Sequence, residues 1–295
     1  MAFPYLTDIF HALDLNFTLP LPTFGLLVGT AFFTGRWLAS VEARRLMPTV
    51  DPELMGNVCI VGFLSGLVGA RIFHLLEYPR EFLAHPIEML TSRAGFTIFG
   101  GLIIGLAVAA WYGRRKGGSI PLMLDAAAPG LMLAYAIGRV GCQISGDGDW
   151  GIEVTSPAPS WLPDWLWAQT YDGNIAGATI PPPGVYPTPI YETLMSLAAF
   201  AILWRLRKRL HAPGWLFGVY LLLAGIERLL VEFIRVNSTY TLFGVQVTQA
   251  QLIATGCIVA GLVLIRQRRR PAEPAAAANA AATAPPPPAP TQRAE

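Results

Sequence analysis

Seven stretches of the chain are nearly free of polar residues, and each is close to the length of a bilayer crossing. They run over 21–41, 56–77, 96–113, 121–141, 188–204, 214–235 and 247–265, where a helical span needs about 20 apolar residues. The third and fifth are the shortest. The pattern predicts an all-α integral membrane protein with seven transmembrane helices over 21–266, preceded by an extracytoplasmic segment 1–20.

The polar intervals set the orientation. Basic residues cluster at Arg36, Arg44 and Arg45; at Arg114, Arg115 and Lys116; at Arg205, Arg207, Lys208 and Arg209; and at Arg266, Arg268, Arg269 and Arg270. The alternate intervals hold few, Arg80 and Arg93 among them. Positive-inside then puts the N-terminus outside and the C-terminus in the cytoplasm. Six or eight spans would break this alternation. No Lys or Arg precedes the first apolar run, so that run reads as a retained anchor rather than a cleaved signal peptide.

The outer loop 142–187 is acidic (Asp147, Asp149, Glu153, Asp164, Asp172) and carries Trp150, Trp161, Trp165 and Trp167. Its stretch 160–171 reads either as an element lying at the lipid headgroups or as a plain structured loop. From Pro271 the chain is Ala/Pro-rich, so the tail 267–295 is expected to be disordered and cytoplasmic.

Composition agrees and narrows the field. Hydrophobic residues make up 53% of the 295 and charged residues only 14%, against ~25% in a soluble domain. That excludes an ordinary soluble protein and a disordered one. A net charge of +2, with the basic residues in short groups, leaves no nucleic-acid footprint. The three cysteines, Cys59, Cys142 and Cys257, are far apart. They suggest neither a disulfide framework nor a zinc site, and no metal or cofactor is expected.

Four arginines stand where charge is costly. Arg71 lies in the second span, Arg139 ends the fourth, Arg228 is inside the sixth and Arg235 ends it. A charge at mid-membrane costs at least ~2.5–3.5 kcal/mol. These three spans all run from inside to outside, so Arg71, Arg139 and Arg235 fall in the outer half and Arg228 near the middle. A basic cavity open to the outer leaflet follows. Glu227, Glu232, Glu192, Glu77 and Asp125 are available as partners, and internal salt bridges are the alternative reading. Arginine grips phosphate with a planar fork, so the cavity suggests a phospholipid headgroup. Gly138, Gly141, Gly146, Gly148 and Gly151 crowd the end of the fourth span, where non-helical backbone would border the cavity. Gly100, Gly101 and Gly105 read mainly as close helix packing.

These residues resemble the prolipoprotein diacylglyceryl transferase family. Its signature, approximately G-R-x-G-N-F-x-N-G-E-x-x-G, is matched by GRVGCQISGDGDWG at 138–151. Further matches are DAAAPGLMLAYAIGR (125–139), YPTPIYE (186–192), GARIF (69–73), GFTIFGGLIIG (95–105) and ERLLVEFIR (227–235). The resemblance covers about residues 20–266.

It implies a multi-pass enzyme of the bacterial cytoplasmic (inner) membrane. Such an enzyme moves diacylglycerol from phosphatidylglycerol to the lipobox cysteine of a preprolipoprotein signal peptide. Arg139 and Arg228 fall on the arginines that serve the lipid. Glu192, Glu232, Arg235, Gly138, Gly141 and Gly146 fall on motif positions. The departures are Phe99, just before Gly100, for the usual His; Phe24 for Tyr; Cys142 and Ser145 for the two Asn; Asp147 for Glu; and Tyr186 for His.

The implied reaction is displacement at a glycerol carbon. It needs an anion clamp and a proton acceptor for the thiol. The clamp is expected from Arg139 and Arg228, with Arg71 a further candidate. Phe99 cannot take a proton. His74 is a candidate replacement or an interfacial His with no chemical role; Glu77 and Asp147 are alternatives. Two other readings stay open: a transferase with a different acceptor, and a lipid-binding paralogue. A channel or transporter fits less well, because no inverted repeat is visible.

Overall fold

A computed structural model describes residues 2–268 apart from 16, 93, 94, 96, 210, 236, 238, 243 and 244. The expected tail lies outside the described residues almost entirely, as do Arg93, Arg269 and Arg270.

The chain is almost wholly helical. In order come α1 (Leu6–Ala12), α2 (Thr23–Leu46), α3 (Leu54–Glu77), α4 (Pro79–Ala84), α5 (Pro86–Thr91), α6 (Ile98–Arg115), α7 (Ile120–Ser145), α8 (Asp164–Trp167), α9 (Thr188–Leu206) and α10 (Trp215–Glu232). A β-hairpin of β1 (Thr239–Leu242) and β2 (Val245–Thr248) then leads into α11 (Gln249–Gln267). Each of the seven apolar runs coincides with one helix. By length and apolarity, α2, α3, α7 and α11 are able to cross a membrane. The other long helices have 18, 19 and 18 residues, and two of them, α9 and α10, carry buried carboxylates.

Packing follows small residues. On α3, a Cβ at Gly69 would lie 2.5 Å from the Ile104 side chain and 2.7 Å from the Gly100 carbonyl of α6. Gly130 of α7 meets Gly35 of α2 in the same way, at 2.6 Å. Without a hydrophobic drive between helices in lipid, such close backbone approach is what holds a bundle together. Outward faces carry large apolar side chains such as Phe33, Trp37, Leu106 and Trp111, all more than half exposed. Water would penalise that surface and lipid would not.

Buried polar groups tie the bundle together. Asp125 on α7 accepts hydrogen bonds from the backbone N–H of Gly214 (2.7 Å) and Phe217 (2.8 Å), capping α10 from a neighbouring helix. Near the C-terminal end of α2, buried Glu42 pairs with both Arg45 and Arg207, so part of the basic clusters is internally neutralised. In the 160–171 stretch only Asp164–Trp167 is helical, and Trp161 and Trp165 stay 79% and 59% exposed.

Helix α7 runs four residues past the apolar stretch that predicts it. Cys142 and Ser145 therefore belong to its last turn rather than to the outer loop. The Ser145 hydroxyl donates to the Gly141 carbonyl (2.8 Å). Gly146 closes the helix in the left-handed region (φ 64°), with its N–H on the Cys142 carbonyl (3.0 Å). A side chain at Gly146 would also run into Asn174 at 2.6 Å.

Candidate functional site: an arginine–carboxylate centre and its cavity

Helical spacing puts Tyr135, Arg139 and Cys142 on one face of α7. Opposite them stands Glu192, fully buried in the first turns of α9. The Tyr135 hydroxyl donates to Glu192 Oε1 (2.8 Å), and Arg139 Nε lies 3.3 Å from Glu192 Oε2. Arg235, just beyond α10, brings its Nη1 to 3.7 Å from the same oxygen. From the loop after α7, Asp149 folds back between the two guanidiniums. It pairs with Arg139 through Oδ2 and with Arg235 Nη2 through Oδ1 at 2.6 Å. The Thr188 hydroxyl fixes this loop by donating to the Asp149 carbonyl (2.7 Å). Two arginines and two carboxylates balance. Burial alone would raise the Asp149 carboxyl, but Arg139 and Arg235 outweigh it and hold it below the usual aspartate range.

The second part of the site is on α10. Arg228 Nη2 pairs with Glu232 Oε2 at 2.7 Å, the i,i+4 contact that the sequence spacing allows. Glu232 is buried and over-held: Asn237 Nδ2 donates to both of its oxygens (2.8 Å each) and the Thr248 hydroxyl to Oε1. Arg228 also lines a cavity of about 220 Å³ between α7, α10 and α11, with Met132, Tyr135, Glu227, Ile253 and Cys257 among its other walls. Tyr135 joins the two parts, since its ring walls the cavity, lies under the Arg139 guanidinium (5.0 Å), and its hydroxyl reaches Glu192.

Several of the other expected site residues, Arg71, His74, Phe99 and Gly100, lie elsewhere. Arg71 donates to the carbonyls of Gly95 (2.7 Å), Ser92 (3.0 Å) and Met89, clamping the connection between α5 and α6. His74, one turn on, packs against Tyr78 with the rings tilted (centroids 5.0 Å apart), beneath Gly95. Glu77 accepts from the Thr97 hydroxyl (2.7 Å). These groups belong to the α3–α6 end. Phe99 is 43% exposed, and Gly100 is packed against Phe73 and Gly69. Within the signature, Gly141 faces Phe24 and Leu27, whereas a side chain at Gly138 would meet nothing within 4 Å. Asp147 accepts the Asp149 N–H (3.2 Å).

Cys142, Asp147 and Asp149 place potential ligand atoms within 4.8 Å of one another. A cation there would compete with Arg139, which lies 3.6 Å from the Cys142 sulfur, and with both arginines on Asp149. That donor set suits an arginine partner better than a metal ion.

Sequence reasoning did not place Asp149, Tyr135, Asn237 or Thr248 in the site. The alternating acids at 147 and 149 were the one available signal, and they cannot show which acid turns inward.

Fold and site define a helical membrane protein with a charge-balanced arginine centre near one end of its bundle. The chain belongs to the prolipoprotein diacylglyceryl transferase family, whose model matches residues 11–266. A phosphatidylglycerol–prolipoprotein diacylglyceryl transferase of Frankia alni is 34% identical over 237 residues, 77% of this chain and 59% of that protein. One of Bacillus cereus is 29% identical over 254 residues, 85% of this chain and 89% of its own length. The chain thus spans less than two thirds of the Frankia protein and most of the Bacillus one.

Proposed function

We propose that this chain transfers diacylglycerol from phosphatidylglycerol to the lipobox cysteine thiol of a preprolipoprotein, working as a seven-span protein of the bacterial inner membrane. In this reading the N-terminus is outside and the C-terminus cytoplasmic. The observation that carries it is the convergence of Arg139, Arg228 and Arg235 around Tyr135, Glu192 and a cavity that retains open space. Arg228 has one guanidinium nitrogen, Nη1, without a partner among the described residues, and it is free to take a phosphate oxygen. Arg139 is held by Glu192 and Asp149, so its guanidinium is already in place near the leaving group and needs no reorganisation. Gly138 leaves room against the α7 backbone for the lipid. Arg71 and His74 support the α3–α6 end rather than the displacement.

The deciding experiment incubates the purified chain with phosphatidylglycerol and a fluorescent lipobox peptide. A mobility shift and the mass of a diacylglyceryl thioether are expected. Arg139→Gln and Arg228→Gln should each lower turnover by ~100-fold or more. No product with wild-type protein, under conditions where a Bacillus relative is active, would defeat the reading.

A further inference from the structure

We infer that Glu227 is the proton acceptor for the incoming cysteine thiol, an inference that rests on the transfer reaction proposed above. Glu227 precedes Arg228 on α10 and lines the same cavity. It is 5% exposed. Its Oε1 accepts from the Ser196 hydroxyl of α9 (2.6 Å), while its buried Oε2 has no partner among the described residues. Arg228 Nη1 is also buried and unpartnered. Two residues lining one cavity therefore each carry an unpartnered polar atom, an acceptor on Glu227 and a donor on Arg228, although Arg228 is paired with Glu232 through Nη2. Buried polar atoms are nearly always hydrogen-bonded, and exceptions need an explanation. A purely structural carboxyl would be better served by a second donor, as Glu232 is by Asn237, Thr248 and Arg228. Ser196 instead holds one oxygen and leaves the other buried without a donor among the described residues, on a side chain that lines the cavity. The residues considered as a base from sequence are placed differently: His74 and Glu77 serve the α3–α6 end, and Asp147 lies in the loop after α7, where it accepts the Asp149 N–H.

The step balances without any further reactant. The thiol proton passes to Glu227 Oε2 as sulfur forms a bond to the terminal glycerol carbon of the diacylglyceryl group. The bond from that carbon to the phosphate oxygen breaks, and its electron pair leaves with glycerol phosphate, whose oxygen Arg228 Nη1 holds. Glu227 then gives its proton to the departing phosphate. Nothing is oxidised or reduced.

A selenocysteine peptide tests this, because a selenol is already ionised at neutral pH and needs no base. The full chain and Glu227→Gln are compared on lipobox peptides carrying either cysteine or selenocysteine, with phosphatidylglycerol as donor. Glu227→Gln should lower kcat for the cysteine peptide by ~100-fold or more, leave KM for the lipid near wild type, and turn over the selenocysteine peptide within about threefold of wild type. Recovery with the selenol also shows that the variant is folded. Equal losses on both peptides, or undiminished turnover of the cysteine peptide, would overturn the role of Glu227 while leaving the reaction in place. A wild-type chain inactive on both peptides would instead overturn the reaction, and the inference with it.

Discussion

Replacing Glu192 by Gln keeps the shape of the side chain and removes one negative charge from the centre of the site. Arg139, Arg235, Asp149 and Glu192 carry two positive and two negative charges, so the variant leaves a net +1 where the wild type has none. Glu192 is fully buried, so solvent cannot replace the missing charge; the Asp149 side chain is 36% exposed and already partly screened. Removing one partner of a buried ion pair costs ~3–5 kcal/mol. The Gln amide oxygen can keep the Tyr135 hydrogen bond, which places the expected loss near ~3 kcal/mol. In a chain of this size ~1 kcal/mol moves the melting midpoint by about 2–4 °C, so a fall of roughly 6–12 °C is expected. Thermal unfolding in detergent measures it. Combining the change with Arg235→Gln restores charge balance, so the double variant should melt above the sum of the single losses by ~1 kcal/mol or more. A midpoint within about 2 °C of wild type, or strictly additive losses, would refute the idea that Glu192 is the shared counter-charge of two arginines.

The Asp149 pairs predict a pH dependence. The folded carboxyl is held below its unfolded value of ~3.9, so its contribution to stability is fully present above that pH and is lost only as pH falls through the lower folded value. The stability gap between wild type and Asp149→Asn should be flat from pH 7 to about 5 and should close only below ~4; closure between 7 and 5 would contradict the pairing. Two glycine replacements should part company. Gly69→Ala drives a methyl group to 2.5 Å from Ile104 and should destabilise by ~1–3 kcal/mol. Gly138→Ala meets nothing within 4 Å and should leave the melting point unchanged or raise it, through helix propensity of up to ~1 kcal/mol. If Gly138 instead proves as sensitive as Gly69, the open space beside α7 is not there. Loss of lipidation in a stable Gly138→Ala protein would mark that space as substrate volume.

The helices themselves were legible in advance. Each apolar run became a helix with edges shifted by a few residues, because a bilayer-length apolar segment has no other way to satisfy its backbone in lipid. The family motifs were equally legible, since they depend on local order along the chain. The glycines of α6, read mainly as packing from small residues at helical spacing, do meet α3 closely.

What sequence could not supply was pairing. Arg235 and Asp149 are 86 positions apart. Their meeting depends on a loop folding back over the end of α7, and no periodicity encodes that. Arg71, Arg139, Arg228 and Arg235 looked alike as costly charges, yet Arg71 donates to backbone carbonyls and the others pair with carboxylates of three different segments. Two neighbours, Glu227 and Arg228, were indistinguishable from a simple ion pair until helix rotation set both against a cavity. The identity of a helix is written in its own residues, whereas the partner of a buried charge is decided by the rotation and depth of every helix around it.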